Sequence, residues 1–176
     1  MTPTPTPTPT PATTPAANGR VVALAHHAAR AVLEGVLDRH GLTFHQNVLF
    51  RAVVVGGSVD SIPVGPGSVT TGSVTTGSIG RDELVADVAG SLKTDETLVR
   101  GVVEEAAAAG LLEQDPADAS RVRLTAAGLE RYERAAAETA EVSARLYDGI
   151  PPEDLAVAGR VLTLVTDRAN AELDRA

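Results

Sequence analysis

The chain has 176 residues, of which 43% are apolar and only 2% aromatic, and its formal net charge is −8. That length suits one domain with tails; the lack of cysteine excludes a disulfide framework, a thiolate metal site and a thiol nucleophile. No run approaches the roughly 18 apolar residues of a membrane span, and an acidic balance argues against a nucleic-acid partner unless charge is unevenly distributed. Phe44, Phe50, Tyr132 and Tyr147 are the whole aromatic complement, so burial must come from Val, Leu and Ala, which favour long helix-on-helix contacts.

No basic stretch followed by an apolar run opens the sequence, so no secretory signal is read there and a cytoplasmic address is the default expectation. Residues 1–19 form a Thr/Pro-rich tail; proline fixes φ and removes donors, so the tail is expected to be extended and disordered. From Arg20 to Arg39, Val22, Ala25, Ala29, Val32 and Val36 recur at helical spacing, with Leu33 and Leu37 widening the stripe. Gly41 ends that helix. Thr43, with Gln46 three residues on, opens a second as a capping box. This helix carries Val48, Leu49, Ala52 and Val53 and stops at Gly56-Gly57.

Residues 56–80 are Gly/Ser/Thr-rich and contain the pentapeptide GSVTT twice, at Gly67–Thr71 and Gly72–Thr76. A stretch this long without helical period inside a compact domain is either a disordered insertion or a lid or extended hairpin. Helix signals resume over Arg81–Ser91, with Leu84, Val85 and Val88 inward. Asp95 then caps a helix through Ala109 that turns Leu98, Val99, Val102, Val103 and Ala106 to one face. Leu111–Glu113 reads as a short strand, Gln114–Ser120 as a polar turn and Arg121–Leu124 as the returning strand. Thr125 caps a helix to Tyr147, Asp148-Gly149 breaks it, and Pro151-Pro152 start a last helix. Leu155, Ala158, Leu162, Val165, Ala169 and Leu173 give that helix a coiled-coil-like seam.

The order predicts a mostly α fold with a small β-wing: a winged helix-turn-helix with long N- and C-terminal dimerisation helices. Residues 20–176 form the winged-helix domain, with the helix-turn-helix and wing over 81–128 and dimerisation helices over 129–176. The last seam is to be covered by a second subunit, by the chain's own first helix, or by both.

Several stretches resemble the MarR family of transcriptional regulators: Gly41-Leu-Thr, Leu84-Val-Ala-Asp-Val, Leu98 through Gly110-Leu-Leu-Glu, and Asp115-Pro-Ala-Asp followed by Val122-Arg-Leu-Thr-Ala-Ala-Gly128. The closing Leu-Thr-x-x-Gly is the most specific. The resemblance implies a homodimer that binds operator DNA through the helix and wing. It also implies relief by a small, often aromatic or anionic ligand held between the dimerisation helices and the reading lobe. The chain departs from the family where the wing's usual Asp-Arg-Arg is Asp118-Ala119-Ser120. A second departure is Asp95-Glu96-Thr97, where the reading helix usually opens with Ser, Arg and Thr.

Charge is uneven. Residues 79–128 hold five basic and ten acidic side chains, a net of −5 in the lobe that would approach phosphate. DNA affinity rests largely on Lys and Arg displacing counterions, which leaves Thr97 and Arg100, with Gly101 by close approach, as base readers. Arg121 and Arg123, two apart on a strand, share a face and either clamp a minor groove or pair with Asp115 and Asp118 across the hairpin. All four histidines fall between His26 and His45. In the family this stretch is the edge of the effector pocket, so the resemblance implies that His26 or His27, His45 and Arg51 engage an anionic or phenolic ligand; the alternative is plain surface histidines. No cofactor or metal is expected, because no nucleotide fingerprint, phosphate loop or helix zinc spacing is present. Two functions stand: a ligand-responsive regulator, and a repurposed winged helix that binds a small molecule or does histidine-assisted acid–base chemistry. A DNA mimic acting through the acidic lobe is a third.

Overall fold

The computed structural model describes residues 16–56 and 77–175. Most of the Thr/Pro-rich tail and of the GSVTT-containing insertion, and the expectations attached to them, lie outside these residues. The elements run α1 (Gly19–Arg39), α2 (Phe44–Val55), β1 (Ile79–Gly80), α3 (Arg81–Leu92), α4 (Glu96–Ala108), β2 (Leu112–Asp115), β3 (Asp118–Leu124), α5 (Ala126–Tyr147) and α6 (Pro152–Leu173).

Local chemistry sets most of these boundaries. Asn18 caps α1 by accepting from the Arg20 and Val21 amides. At α2 the Thr43 hydroxyl accepts from the Gln46 amide while the Gln46 side chain accepts from the Thr43 amide, both at 3.1 Å. Two otherwise orphaned donors are thereby satisfied together. Gly41, at φ +63°, lets the chain reverse after α1, so that the Leu42 amide reaches back to the Leu37 carbonyl and the orphaned last turn is closed. Lys93 takes the same left-handed conformation between α3 and α4 (φ 51°), which is uncommon for a residue with a Cβ.

The sheet is antiparallel in the order β1-β3-β2. Leu112 opposes Leu124 and Glu113 opposes Arg123, with a bulge between Gln114 and Asp115. The hairpin turn is tighter than the expected Gln114–Ser120. Asp115 accepts from the Ala117 amide and Asp118 from the Ser120 amide, and these side-chain turns let the strands run on to Asp115 and resume at Asp118.

One apolar core joins α1 to the lobe. Leu37, Leu42, Leu49, Phe50, Val53, Ile79, Leu84, Val85, Val88, Val99, Val103, Val122 and Leu124 are all buried, with Tyr132 and Leu33 packed against them. The predicted faces of α2, α3 and α4 are buried or half-buried except for Leu98 of α4, whereas in α1 only Val36 and Leu37 at its end are buried and Ala25, Ala29 and Val32 of the expected stripe are exposed. α6 behaves differently from the rest. None of its residues is buried, and Leu162 (45% exposed), Val165 (49%), Val157, Val161 and Leu164 face outward. Of the two ways to cover the seam within or between chains, folding back onto α1 does not occur here. α1 is also uncovered as far as Val32, with Val21, Leu24 and Val32 exposed.

Candidate nucleic-acid interface

Burial of Val99, Val103 and Ala106 fixes the rotation of α4 about its axis. Glu96, Thr97, Arg100, Glu104 and Glu105 are left on its outer side. The first turn is held by Asp95, whose carboxylate accepts from the Thr97 amide at 2.6 Å. Hydrogen bonding from Thr97 keeps the Asp95 carboxyl below its ordinary range, so the cap is ionised and suits the positive helix end. One turn on, Arg100 Nη2 lies 2.7 Å from Glu96 Oε2. Both candidate readers of α4 are thus exposed, and one is already engaged by a carboxylate.

The wing lies beside this helix. Val122 and Leu124 point into the core and Arg121 and Arg123 to the opposite face, as a strand's two-residue period requires. Neither arginine pairs with Asp115 or Asp118 in a direct bridge, which corrects that expectation. Arg123 bonds Glu113 at 2.7 Å, because the register places Glu113 directly opposite. Arg121 donates through Nε to the Ser78 hydroxyl at 3.0 Å and through Nη2 to the Ser78 carbonyl. The residues leading into β1 are thereby tied to the wing. Hydrogen bonding from Ser78, then from the Ala117 amide, holds the Asp115 carboxyl below its ordinary range, with the two arginines adding to the effect. Ser120 does the same for Asp118. The turn therefore presents two charged carboxylates beside two engaged guanidinium groups, Arg123 paired with a carboxylate and Arg121 held by the uncharged oxygens of Ser78.

The histidines do not all converge. His26 and His27 are exposed on α1, with rings edge to face at 5.5 Å between centroids. His45, on the first turn of α2, meets the edge of Phe44 at 5.9 Å. The Arg30 guanidinium sits over the Phe44 ring, 4.3 Å from its centroid. Since Arg30 is three residues from His27, the two share a helix face, and His27, Arg30, Phe44 and His45 follow one edge of the α1–α2 packing. Arg51 lies six residues beyond His45, roughly 120° around α2, and near Tyr132. There its charge opposes the upward push that burial gives the phenol. His40 is drawn away to α5, its Nε2 2.7 Å from Glu138 Oε2. Sequence reasoning missed Arg30 and Phe44, although the spacing of Arg30 from His27 was a usable signal.

No protein-family model matches the chain, and no curated protein matches it. Solved structures do. Ligand-free NadR superposes with a TM-score of 0.63 at 16% identity, covering 89% of this chain and 98% of its own. The MepR–DNA complex of S. aureus gives 0.62 at 13%, covering 87% and 96%. A MarR-family transcriptional regulator from Rhodococcus sp. RHA1 gives 0.56 at 15%, covering 84% and 90%. NadR in complex with 4-hydroxyphenylacetate gives 0.56 at 18%, covering 90% and 97%. The fold is the winged-helix fold of MarR-family regulators.

Proposed function

We propose that this protein is a ligand-responsive transcriptional regulator that binds operator DNA as a homodimer. Thr97 and Arg100 of α4 enter the major groove, and Arg121 and Arg123 flank it from the wing. The observation that carries this reading is the exposed outer face of α4 beside an exposed wing, on a fold shared with a neighbour solved on DNA. The carboxylates do not forbid it. An exposed i,i+4 pair such as Arg100–Glu96 is worth about 0.3–0.5 kcal/mol, whereas a bidentate arginine–guanine contact discriminates by about 1–3 kcal/mol. The pair with Glu96 is therefore weak enough to be exchanged for a base edge. The exposed Arg123–Glu113 pair yields for the same reason. The acidic lobe lowers overall affinity and makes low salt the condition under which binding is seen.

The dimer rests on the bare seam of α6 together with the exposed first half of α1. A seam of five outward Val and Leu side chains on one helix is stable in water when a second copy covers it. The ligand belongs at the edge formed by His27 and His45 with Arg30 and Phe44; His26 lies next to His27, and Arg51, turned toward Tyr132, is not part of that edge. A cation, an aromatic face and imidazoles suit an anionic phenol, the class of molecule found with NadR. A regulator of this kind acts where the chromosome is, so the cytoplasmic expectation belongs to this reading.

The test is selection of bound duplexes from a random pool at low salt, followed by retardation assays with wild type and Arg100→Ala. The reading expects a selected sequence whose affinity falls at least about tenfold in the variant. Absence of any retained duplex at low salt rejects it. A second reading, a ligand binder or acid–base enzyme that no longer reads DNA, is favoured by the net −5 of the reading lobe. It predicts ligand binding or turnover that is lost in His27→Ala or His45→Ala, with no DNA complex at all.

A further inference from the structure

We propose that the corner between the end of α1 and the first turns of α5 is a separate binding site for a small dianion, a phosphate monoester or a dicarboxylate. A cleft of about 370 Å³ opens there, between Arg39, His40 and Gly41 on one side and Glu130, Arg131 and Arg134 on the other. That volume lies in the range of small-ligand sites. Three guanidinium groups stand here against two carboxylates, Glu130 in the lining and the Glu138 that pairs with Arg39, which leaves one positive charge over in a chain of net −8.

The three arginines differ in what holds them. Arg39 is the most engaged: its Nη1 donates to the Gly35 carbonyl at 2.7 Å, and its Nε and Nη2 donate to Glu138, which His40 also bonds. Its charge is already paired with the Glu138 carboxylate, so it bounds the cleft without being free to bind. Arg131 has one weak partner among the described residues, the Gly41 carbonyl at 3.4 Å, beyond the usual hydrogen-bond range. The rest of its fork is available. Arg134 is paired with Glu130 one turn before it, and both side chains are about two-thirds exposed. Such a pair exchanges readily, and the Glu130 carboxylate occupies the position that a ligand's anionic group would take. Arginine forks match carboxylate and phosphate bidentately, so Arg131 and Arg134 together suit two anionic groups on one compact molecule.

The experiment follows the backbone amides of Gly41 and Ala127, both at the cleft, in the full chain. Sodium phosphate and sodium succinate are titrated separately at constant ionic strength, with chloride as the control. Saturable shifts with phosphate, succinate or both are expected, and which one saturates identifies the source of the dianion. Arg131→Gln should weaken binding at least about tenfold, the loss of one charge-assisted contact. Glu130→Gln should tighten it several-fold by freeing Arg134, a gain that damage to the fold cannot imitate. Shifts that merely track ionic strength overturn the proposal, as does an Arg131→Gln variant that binds like wild type. It is equally overturned if Arg131→Gln weakens only duplex DNA, which makes the corner a backbone contact. The DNA-reading proposal is untouched by failure of the phosphate and succinate arms, because Arg100 is not involved.

Discussion

Gly128 is the residue whose replacement should harm this protein most for its size. It is buried at the start of α5, and its amide donates to the Thr125 hydroxyl at 3.0 Å. The Thr125 hydroxyl in turn donates to the Gly110 carbonyl, and the Thr125 amide to the Leu111 carbonyl. The first turn of α5 is thus pressed onto the backbone that leads into β2. A Cβ at position 128 would stand 2.9 Å from the Leu111 carbonyl carbon and 3.2 Å from its Cα, with the carbonyl oxygen closer still. Ordinary contact begins at 3.4 Å, so the helix must lift by at least about 0.5 Å from a neighbour that is backbone and cannot rotate away. Overpacking of this kind costs about 1–3 kcal/mol when side chains can adjust; with backbone as the obstacle we expect about 3 kcal/mol or more. For a protein of this size that corresponds to a fall in Tm of roughly 6–12 °C. Urea unfolding of Gly128→Ala beside Gly35→Ala provides the assay. Gly35 is helical with nothing within 4 Å of an added Cβ, so Gly35→Ala should be neutral or stabilising by up to about 1 kcal/mol. A Gly128→Ala variant within about 1 kcal/mol of wild type would refute the packing argument. It would also remove the physical reason offered for the glycine that ends the Leu-Thr-x-x-Gly stretch.

Other outcomes follow from the same geometry. Asp95→Asn with Glu96→Gln keeps the helix cap and frees Arg100, so duplex affinity at low salt should rise several-fold while the melting temperature barely moves; unchanged or weaker binding counts against the reading helix. Leu162→Glu with Val165→Glu should give a monomer by light scattering, with helicity and the melting of the winged lobe retained; a persisting dimer shows that the seam is not the interface. Glu138 is held below the ordinary glutamate range by hydrogen bonds from Arg39 and then His40. A depressed carboxylate stabilises the fold above its unfolded pKa and ceases to do so as pH falls through its folded value. The difference in urea midpoint between wild type and Glu138→Gln should therefore be present at about pH 5 and close as the pH is taken below about 4; a difference that keeps growing below about pH 4 contradicts the clamp.

The sequence disclosed what local chemistry decides. Thr43 with Gln46, Asp95 and Thr125 each announce a cap that forms, and the apolar spacing of α2 to α4 gives their buried faces apart from Leu98, while most of the α1 stripe stays exposed. The bare α6 seam was legible because a stripe of Leu and Val needs a partner wherever it lies. What the sequence hid depends on residues far apart in the chain. β1 is two residues, Ile79–Gly80, and exists only because β3 supplies its partner. Arg121 meets Ser78 across 43 residues and Arg39 meets Glu138 across 99, distances at which no spacing rule operates. The histidines illustrate the same limit. Their clustering between 26 and 45 is visible, but His40 turns to α5 and Arg51 lies toward Tyr132, so only His27 and His45 follow an edge with Arg30 and Phe44.

The central claim, that α4 reads a major groove despite its carboxylates, is tested most directly by following backbone amides while a selected duplex is added at low salt. The account predicts perturbations concentrated over Thr97–Gly101 and at Arg121 and Arg123, with their magnitude reduced by Arg100→Ala. Unchanged signals over α4 and the wing, or changes confined to the Arg39–Arg131 corner, would contradict it.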